Sequence, residues 1–348
     1  MLKTYFLFTL GCQMNLSDSE KIEAVLKKFG LRSTNEELAD LIIVNACSVR
    51  QKPIDRIWGK IKVWDRINPK AKKILTGCVL ETDLKKLEKK FDFCFKIENL
   101  ESLEDYLAPY NLDEKIKTKR DPSSSAQDDN FIAYLPIMTG CNNFCSYCVV
   151  PYTRGRERSR RPEVIIKETG CLVKKGFKEI MLLGQNVCSY KNGFVELLKK
   201  IVKIHGDFKI SFMSPHPKDF SDELIDIIAR EDKISKQIHL PLQSGDDEIL
   251  KRMNRHYTTR QYLRLVDKLR NKVKGVEIST DIIVGFSKEK KKSFQNTVSL
   301  VKKCRFNKAY VSIYSERKGT WAEKKMRDNV SLSEKKRRWL ILDKLINS

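Results

Sequence analysis

Three cysteines occur within eight residues of the sequence, at Cys141, Cys145 and Cys148. They directly follow a predicted strand, so their thiols lie on a single loop. Three thiolates can hold one metal centre, but a structural zinc site normally takes four protein ligands. An iron–sulfur cluster bound by three thiolates leaves one iron open for a substrate or cofactor. We therefore interpret this loop as an iron–sulfur cluster site rather than as three unrelated core cysteines.

The loop belongs to the second and longer of two series of alternating strands and helices. The predicted strands are residues 131–138, 179–183, 208–213, 237–240, 276–284 and 309–313. Helical patterns cover residues 162–175, 194–205, 219–230, 259–271 and 291–304. Six strand–helix repeats in about 200 residues predict an open, partial (β/α)6 barrel rather than the closed eightfold one. In such folds the chemistry lies on loops at the C-terminal ends of the strands.

The first 110 residues form the shorter series. Strands are predicted at 3–10, 39–44, 73–76 and 91–97, and helices at 17–29, 53–65, 84–90 and 100–107. This alternation indicates an α/β domain with an open parallel sheet and helices on its faces. Residues 111–130 are polar and aperiodic, which predicts a linker. We therefore expect an N-terminal domain at 1–110, a linker at 111–130 and a barrel domain at 131–348.

The composition limits the classes of partner. Lysine and arginine number 68 against 45 aspartate and glutamate, a formal net charge of +23 over 348 residues. Such a field attracts polyanions, and nucleic acid is the commonest polyanion in cells, although biased codon usage alone would also enrich lysine. No apolar run approaches the roughly 20 residues that span a bilayer, and no secretion signal accompanies the cysteines. We expect a cytoplasmic protein with no membrane partner.

The residues around the cysteine loop carry a family resemblance. A C-x3-C-x2-C motif after the first strand of a partial barrel resembles the radical S-adenosylmethionine superfamily. The surrounding residues resemble its tRNA methylthiotransferases, and among them the enzymes that act on N6-dimethylallyladenosine. The matching segments are residues 140–160, Leu182-Leu183-Gly184-Gln185-Asn186-Val187, Ser214-Pro215-His216-Pro217, His239-Leu240-Pro241-Leu242-Gln243-Ser244-Gly245, Lys251-Arg252-Met253-Asn254-Arg255 and Thr280-Asp281-Ile282-Ile283-Val284-Gly285-Phe286.

The resemblance implies two [4Fe-4S] clusters and S-adenosylmethionine as cofactor. The loop of three close cysteines would hold the first cluster, whose open iron binds the cofactor's amino and carboxylate groups. The second cluster would be held by Cys12, Cys47 and Cys78, each just past the end of a predicted strand. Open α/β sheets assemble ligands at that edge. Without the resemblance, three such widely spaced cysteines would be weak evidence.

The resemblance also implies the reaction, insertion of sulfur and a methyl group at adenine C2 of a prenylated adenosine next to the anticodon of tRNA. An aromatic C–H bond is unactivated, so no side-chain base removes its hydrogen at a useful rate and a radical is needed. The reduced first cluster would cleave the cofactor to a 5′-deoxyadenosyl radical, and the second would present the sulfur. The implied partners are tRNA, a reducing electron donor and a sulfur source.

Further residues at predicted strand ends are candidates for cofactor binding. They are Gly184, Gln185 and Asn186 after the second barrel strand, Gln243 and Ser244 after the fourth, and Asp281 and Glu289 flanking the fifth. Exposed backbone groups and short amides there can bind the methionine moiety or the ribose. Turn formation by Gly184 and helix capping by Ser244 or Asp246 are the alternative interpretation.

An arginine-rich segment follows the cysteine loop. Its candidate RNA-binding residues are Arg154, Arg156, Arg158 and Arg160. Guanidinium groups at the mouth of an active site can bind phosphates bidentately, whereas the alternative is a solvated charged loop.

The sequence departs from the family in three places, one of which is the drifted segment 314–320. Residues 285–290 read Gly-Phe-Ser-Lys-Glu-Lys where the family has Gly-Phe-Pro-Gly-Glu-Thr, and the sequence stops at Ser348, before the small RNA-binding (TRAM) domain with which the family normally continues. We therefore expect that the domain is lost or truncated and that the basic body compensates. The alternatives are a methylthiotransferase acting on N6-threonylcarbamoyladenosine in tRNA or on a ribosomal-protein aspartate, and a degenerate RNA-binding remnant.

Overall fold

The structure, a computed structural model, describes residues 2–110 and 132–348. The linker predicted at 111–130 lies outside these described residues. The chain forms two compact units, Met1–Asp129 and Asn130–Ser348. In both described ranges, every helix is too short or too polar to cross a membrane.

The first unit is built on a five-stranded parallel sheet with the spatial order β2-β1-β3-β4-β5. The strands are β1 (Thr4–Thr9), β2 (Arg32–Ser33), β3 (Leu41–Cys47), β4 (Lys72–Cys78) and β5 (Phe93–Cys94). The helices are α1 (Gln13–Lys28), α2 (Gln51–Ile67), α3 (Glu81–Leu87) and α4 (Glu101–Leu107). Strand β3 is buried along its whole length. Its alternate side chains enter two apolar cores, Ile42 and Val44 in one and Leu41 and Ile43 in the other, because both faces of the sheet are covered.

Two predicted boundaries in this unit are wrong. Helix α1 begins before Ser17, which is buried inside it, and Cys12 is the residue that precedes its first turn. The cause is tertiary, since the Asn45 side-chain amide on β3 donates to Asn15 O (2.8 Å) and Ser19 Oγ (2.9 Å) on the helix. The strand predicted at 91–97 is reduced to the short edge strand β5, and β2 at the other edge was not predicted.

The second unit contains a parallel arc of strands whose spatial order follows the chain. The strands of the second unit are β6 (Ile132–Pro136), β7 (Met138–Thr139), β8 (Arg158–Ser159), β9 (Glu179–Leu183), β10 (Lys209–Phe212), β11 (Gln237–His239), β12 (Glu277–Val284) and β13 (Lys308–Ile313). All of them except β7 and β8 belong to the arc. Strands β6, β9 and β10 form one three-stranded sheet and β11 to β13 another, and a parallel bridge between Ile210 and Ile234 links the two. This arrangement confirms the predicted partial (β/α)6 barrel.

Most helices of the second unit cover one face of this arc. The helices of the unit are α5 (Val150–Thr153), α6 (Pro162–Lys174), α7 (Phe194–Ile201), α8 (Asp222–Arg230), α9 (Asp247–Arg252), α10 (Thr259–Lys272), α11 (Lys291–Cys304), α12 (Trp321–Lys325) and α13 (Leu332–Asn347). Alternation along β12 shows the two faces. Ile278 and Ile282 are buried in the main core with the helices, whereas Ser279 and Asp281 are half-buried on the opposite face. Ser279 and Asp281 therefore lie on the face of β12 away from the helices, whereas Thr280 is buried on the same face as Ile278 and Ile282.

Candidate active site

The loop that carries the close cysteines is closed at its base by the antiparallel ribbon of β7 and β8. Cys141 N donates to Gly155 O across this base (3.2 Å). Gly140 has a φ of 78°, and a Cβ atom there would lie 2.2 Å from Arg156 O. Only glycine fits such a close approach of two backbones. The position of the first cysteine is thus set by the ribbon.

The sulfur atom of each close cysteine accepts a hydrogen bond from an N–H group. The contacts are Asn143 N to Cys141 Sγ (3.5 Å), Val150 N to Cys148 Sγ (3.5 Å) and Arg255 Nη1 to Cys145 Sγ (3.3 Å). Hydrogen bonds to sulfur are among the features that tune iron–sulfur clusters. Burial raises the pKa of the Cys141 thiol, so a metal centre bound there would displace its proton.

A second segment, which sequence reasoning left without a role, holds the cysteine loop in place. The Asn254 side chain donates to the backbone oxygens of Asn143 and Phe144, at 3.1 Å each. Ser146 Oγ donates to Arg252 O (2.8 Å). These contacts join residues more than a hundred positions apart, so local patterns could not reveal them. In the sequence, residues 251–255 stood out only as one of the segments that resemble the family.

Some buried polar atoms at the end of the barrel that carries the cysteine loop have no hydrogen-bond partner. They belong to residues that come just after β6, β9 and β10. Among the described residues of the second unit, these atoms are Thr139 Oγ1, Gln185 Oε1 and His216 Nε2. Leaving such atoms unpaired costs free energy, so each calls for an explanation. A polar ligand with both donors and acceptors would satisfy them. S-adenosylmethionine, with its amino, carboxylate and hydroxyl groups, has this donor and acceptor set.

The protonation state of His216 follows from its surroundings. Its Nδ1 accepts from Lys218 N (3.3 Å), so Nε2 carries the hydrogen and is a donor. Burial, followed by the nearby Arg255, lowers the pKa of His216 to about 2. The ring is therefore a neutral hydrogen-bond donor at physiological pH. No role was predicted for this residue, because the Pro-His-Pro pattern does not reveal an unpaired donor.

Besides Asp281, four of the predicted cofactor-binding residues have hydrogen-bond partners within the protein. Asn186 Oδ1 accepts from His216 N (3.0 Å) and its Nδ2 donates to Asp219 Oδ2 (2.7 Å). Ser244 is fully buried, and its hydroxyl accepts from Asp246 N (3.3 Å). Of the two residues predicted as alternative helix caps, Asp246 is the cap of α9, because its Oδ1 accepts from Ile249 N (3.1 Å).

The other two are Gln243 and Glu289. Gln243 has a φ of 66° and pairs through its backbone with Asp281 O (2.8 Å) and Ile283 N (2.9 Å). Glu289 Oε2 accepts from Gly285 N and from Arg338 Nη1, at 2.6 Å each. Burial nevertheless raises the pKa of Glu289. Its carboxyl group is therefore engaged in stabilising the altered Gly285 loop.

Gly184 and Asp281 retain geometry that suits a binding site. A Cβ atom at Gly184 would lie 2.6 Å from the Met138 side chain, so close packing of the first and second strand ends requires glycine. Asp281 Oδ2 is 3.0 Å from His239 Nε2, and Ser279 Oγ is 3.0 Å from His239 Nδ1. The imidazole orients this carboxylate on the face away from the helices.

The four arginines differ in accessibility. Arg154 is buried, so its guanidinium is not offered to a polyanion. Arg160 Nη1 donates to Pro136 O (2.6 Å), and its Nη2 pairs with Glu168. Arg156 and Arg158 are exposed, and the Arg156 guanidinium lies 4.4 Å from the Phe144 ring centroid. Arg154 is thus enclosed and Arg160 is engaged in an ion pair, whereas the side chains of Arg156 and Arg158 are exposed.

The first unit brings its own three cysteines to one edge of its sheet. Cys47 and Cys78 are the last residues of β3 and β4, and Cys12 precedes α1 after β1. A Cβ atom at Gly11 would lie 3.0 Å from Cys47 Cβ, so the segment before α1 packs closely on the end of β3. Cys12 stands at the N-cap position of α1, whose first turn has no acidic residue.

Neither cysteine group has the geometry of a site for one ion. Within residues 2–110 and 132–348, no three His, Cys, Asp or Glu side chains are close enough to share a single metal. The thiolates of a four-iron cluster bind different iron atoms and lie farther apart.

The chain is similar to known proteins in both units. Residues 135–301 match the Radical SAM superfamily, and residues 4–96 match a family described as Uncharacterized protein family UPF0004. A tRNA-2-methylthio-N(6)-dimethylallyladenosine synthase of Caldicellulosiruptor saccharolyticus is 44% identical over 346 residues, with 92% of this chain and 73% of the relative covered. One of Clostridium botulinum (strain Langeland) is 42% identical over 366 residues, with 99% and 81% covered.

Solved structures share the fold at low sequence identity. The radical S-adenosylmethionine methyltransferase TsrM of Kitasatospora setae, solved with cobalamin and a [4Fe-4S] cluster, is 14% identical with a TM-score of 0.65, covering 90% of this chain and 75% of TsrM. The cobalamin-dependent radical enzyme OxsB is 15% identical with a TM-score of 0.59, covering 93% of this chain and 55% of OxsB.

Proposed function

The chain belongs to the radical S-adenosylmethionine family of tRNA-2-methylthio-N(6)-dimethylallyladenosine synthases, and we propose that it converts N6-dimethylallyladenosine in tRNA to its 2-methylthio derivative. The membership confirms the resemblance found in the cysteine loop and the strand-end segments. The observation that best supports the proposal is the loop of Cys141, Cys145 and Cys148, where an N–H group faces every sulfur.

The reaction must replace a hydrogen on an unactivated aromatic carbon. When bound, a three-cysteine [4Fe-4S] cluster with S-adenosylmethionine supplies the radical chemistry that this replacement needs. The close cysteines would hold that cluster and leave one iron open. Thr139, Gln185 and His216 present unpaired polar atoms at the same end of the barrel, and we assign them to the polar groups of S-adenosylmethionine.

The first unit would hold the second [4Fe-4S] cluster. Cys12, Cys47 and Cys78 stand at the edge of the sheet where open α/β folds bind ligands. The burial of Cys47 and Cys78, at 6% and 2% exposure, would shield two of the thiolates from solvent. We assign sulfur presentation to this site and hydrogen removal to the barrel.

The reaction implies the substrate and the other partners of the protein. Arg156 and Arg158 are the exposed guanidinium groups beside the cysteine loop and would contact tRNA phosphates. The reaction also requires a reducing electron donor and a source of sulfur. Since tRNA is the substrate, we place the protein in the cytoplasm. The predicted N-terminal domain would then hold the cluster that presents the sulfur, and the predicted barrel domain would hold the cluster used for hydrogen removal.

The proposal is tested with the full chain, reconstituted anaerobically with iron and sulfide. Two clusters correspond to about eight iron atoms per chain. We expect a 2-methylthio product from RNA that contains N6-dimethylallyladenosine. Cys145→Ala should lose about half of the iron and all 5′-deoxyadenosine production, because two thiolates rarely retain a cluster. Cys171→Ala, at an exposed thiol on α6, is the matched control. Normal 5′-deoxyadenosine production by Cys145→Ala would contradict the assignment.

A further inference from the structure

Among the described residues, no carboxylate pairs with a buried arginine that lies beside the cysteine loop. Arg255 follows α9 and is 5% exposed. Besides Cys145 Sγ (3.3 Å), its guanidinium donates to Pro241 O (3.3 Å) and Tyr257 Oη (3.4 Å), and it lies 5.4 Å from the Tyr257 ring centroid. Among the described residues, none of these partners is an aspartate or glutamate. A buried cation without a counter-ion is strongly unfavourable.

The aromatic groups around Arg255 do not supply the missing negative charge. The groups that the guanidinium contacts besides Cys145 are the Tyr257 phenol and the Pro241 carbonyl, and both are neutral groups in their ordinary state. Among the groups that the guanidinium contacts, Cys145 Sγ is the one assigned to the barrel cluster.

The backbone holds this guanidinium against the loop. The residues on both sides, Asn254 and His256, have φ values of 58° and 55°, a conformation that non-glycine residues seldom adopt. Asn254 is the residue whose side chain holds the cysteine loop, and Arg255 N donates to Leu250 O (3.0 Å). The same turn thus fixes the loop and the cation together.

We propose that Arg255 is a positioning residue for the barrel cluster. Its guanidinium places a fixed positive charge beside that cluster and thereby raises the reduction potential of the cluster. The inference rests on the proposed cluster at Cys141, Cys145 and Cys148. Adding one electron makes a cluster and its thiolates more negative. A cation held at one thiolate therefore stabilises the reduced form more than the oxidised form, and a hydrogen bond to sulfur acts in the same direction.

The residue type suits this role better than lysine would. A guanidinium stays charged and directs its donors along fixed planar directions, here to a sulfur, a carbonyl and a phenol. A lysine at this position would keep the charge but would lose this simultaneous alignment. Arg255→Lys should therefore fall between the wild type and a neutral variant.

The test is a redox titration of the full chain, followed by electron paramagnetic resonance. Cys12, Cys47 and Cys78 are replaced by Ala so that the signal comes from one cluster. In this background, Arg255→Met should lower the reduction equilibrium constant at least tenfold, which is about 59 mV for a one-electron couple. The matched control is Arg270→Met, because the Arg270 guanidinium donates to the carbonyls of Cys304 and Arg305 before β13, at the other end of the strands. The control should keep the wild-type potential.

Thermal unfolding separates a role in the cluster from a role in the fold. Arg255→Met should reduce the gain in Tm that the cluster gives and should leave the Tm of the cluster-free protein close to that of the wild type. If Arg255→Met retains no iron, an unchanged cluster-free Tm still supports the proposal. An equal fall in both Tm values, or an unchanged potential at equal iron content, would overturn it. A background protein that binds no cluster would instead refute the proposed function, and the inference with it.

Discussion

Cys47 and Cys78 lie directly opposite each other, as the last paired residues of the neighbouring parallel strands β3 and β4. Side chains at paired positions of adjacent strands point to the same side of the sheet. The pair therefore presents two thiols together, and Cys12 joins them from the segment that packs on the end of β3. This edge can be tested separately from the barrel because its cysteines belong to another compact unit.

Replacing Cys47 should separate the two chemical tasks of the enzyme. We expect Cys47→Ala to keep reductive cleavage of S-adenosylmethionine, since the cysteines of the barrel are intact, and to yield no methylthiolated RNA. Cys94→Ala, on β5 of the same unit, is the control and should keep both activities. Product and 5′-deoxyadenosine are measured together by mass spectrometry. Full methylthiolation by Cys47→Ala would mean that the cysteines of the first unit are merely structural.

The exposed arginines should control binding of the RNA. Arg156→Ala with Arg158→Ala should weaken tRNA binding and flatten the plot of log affinity against log salt, by a little under one unit for each phosphate that the protein no longer binds. The control removes the same charge from exposed Lys174 and Lys175, which precede β9 at the other end of the strands. A salt titration at matched cluster content gives both slopes. Equal slopes and affinities for the two double variants would place the RNA elsewhere.

His216 should make the folded chain sensitive to acid. Its pKa is about 2 in the folded protein and near 6.5 when unfolded, so only the unfolded chain takes up a proton as pH falls below about 6.5. Stability is thus lost toward low pH, by about 1.4 kcal/mol between pH 7.5 and 5.5 from this residue. Urea unfolding of His216→Gln should lack that part of the loss, and exposed His205→Gln should retain it. An equal loss in His216→Gln would show that the ring is not held neutral.

Breaking the buried ion pair between Glu289 and Arg338 should destabilise the folded chain. Both side chains are buried, and Arg338→Met would leave the carboxyl group without its cation, at a cost of about 3–5 kcal/mol. Adding Glu289→Gln should recover much of this, because no charge then stays buried. Exposed Arg337→Met should change stability by at most about 1 kcal/mol. The measurement is the free energy of unfolding in urea, and equal effects of Arg337→Met and Arg338→Met would contradict it.

The sequence predicted those parts of the molecule whose causes are local. Strand β9 and helix α11 have the predicted bounds, because an apolar run and a periodic pattern define each of them. Contacts between distant residues were not predictable. Cys145 and Arg255 are 110 positions apart in the sequence, and Glu289 and Arg338 are 49 positions apart. The four arginines look equivalent in sequence, and only packing separates the two exposed guanidinium groups from the others.

We propose that this chain methylthiolates N6-dimethylallyladenosine in tRNA. The most direct test is mass spectrometry of nucleosides from tRNA of cells with and without the gene. We predict that 2-methylthio-N6-dimethylallyladenosine disappears when the gene is absent and that its unmodified precursor accumulates. Return of the product with the wild-type gene, and not with Cys145→Ala, links it to the barrel cysteines. Unchanged levels of this nucleoside, with loss of a methylthio group from threonylcarbamoyladenosine or from a ribosomal-protein aspartate, would contradict the account.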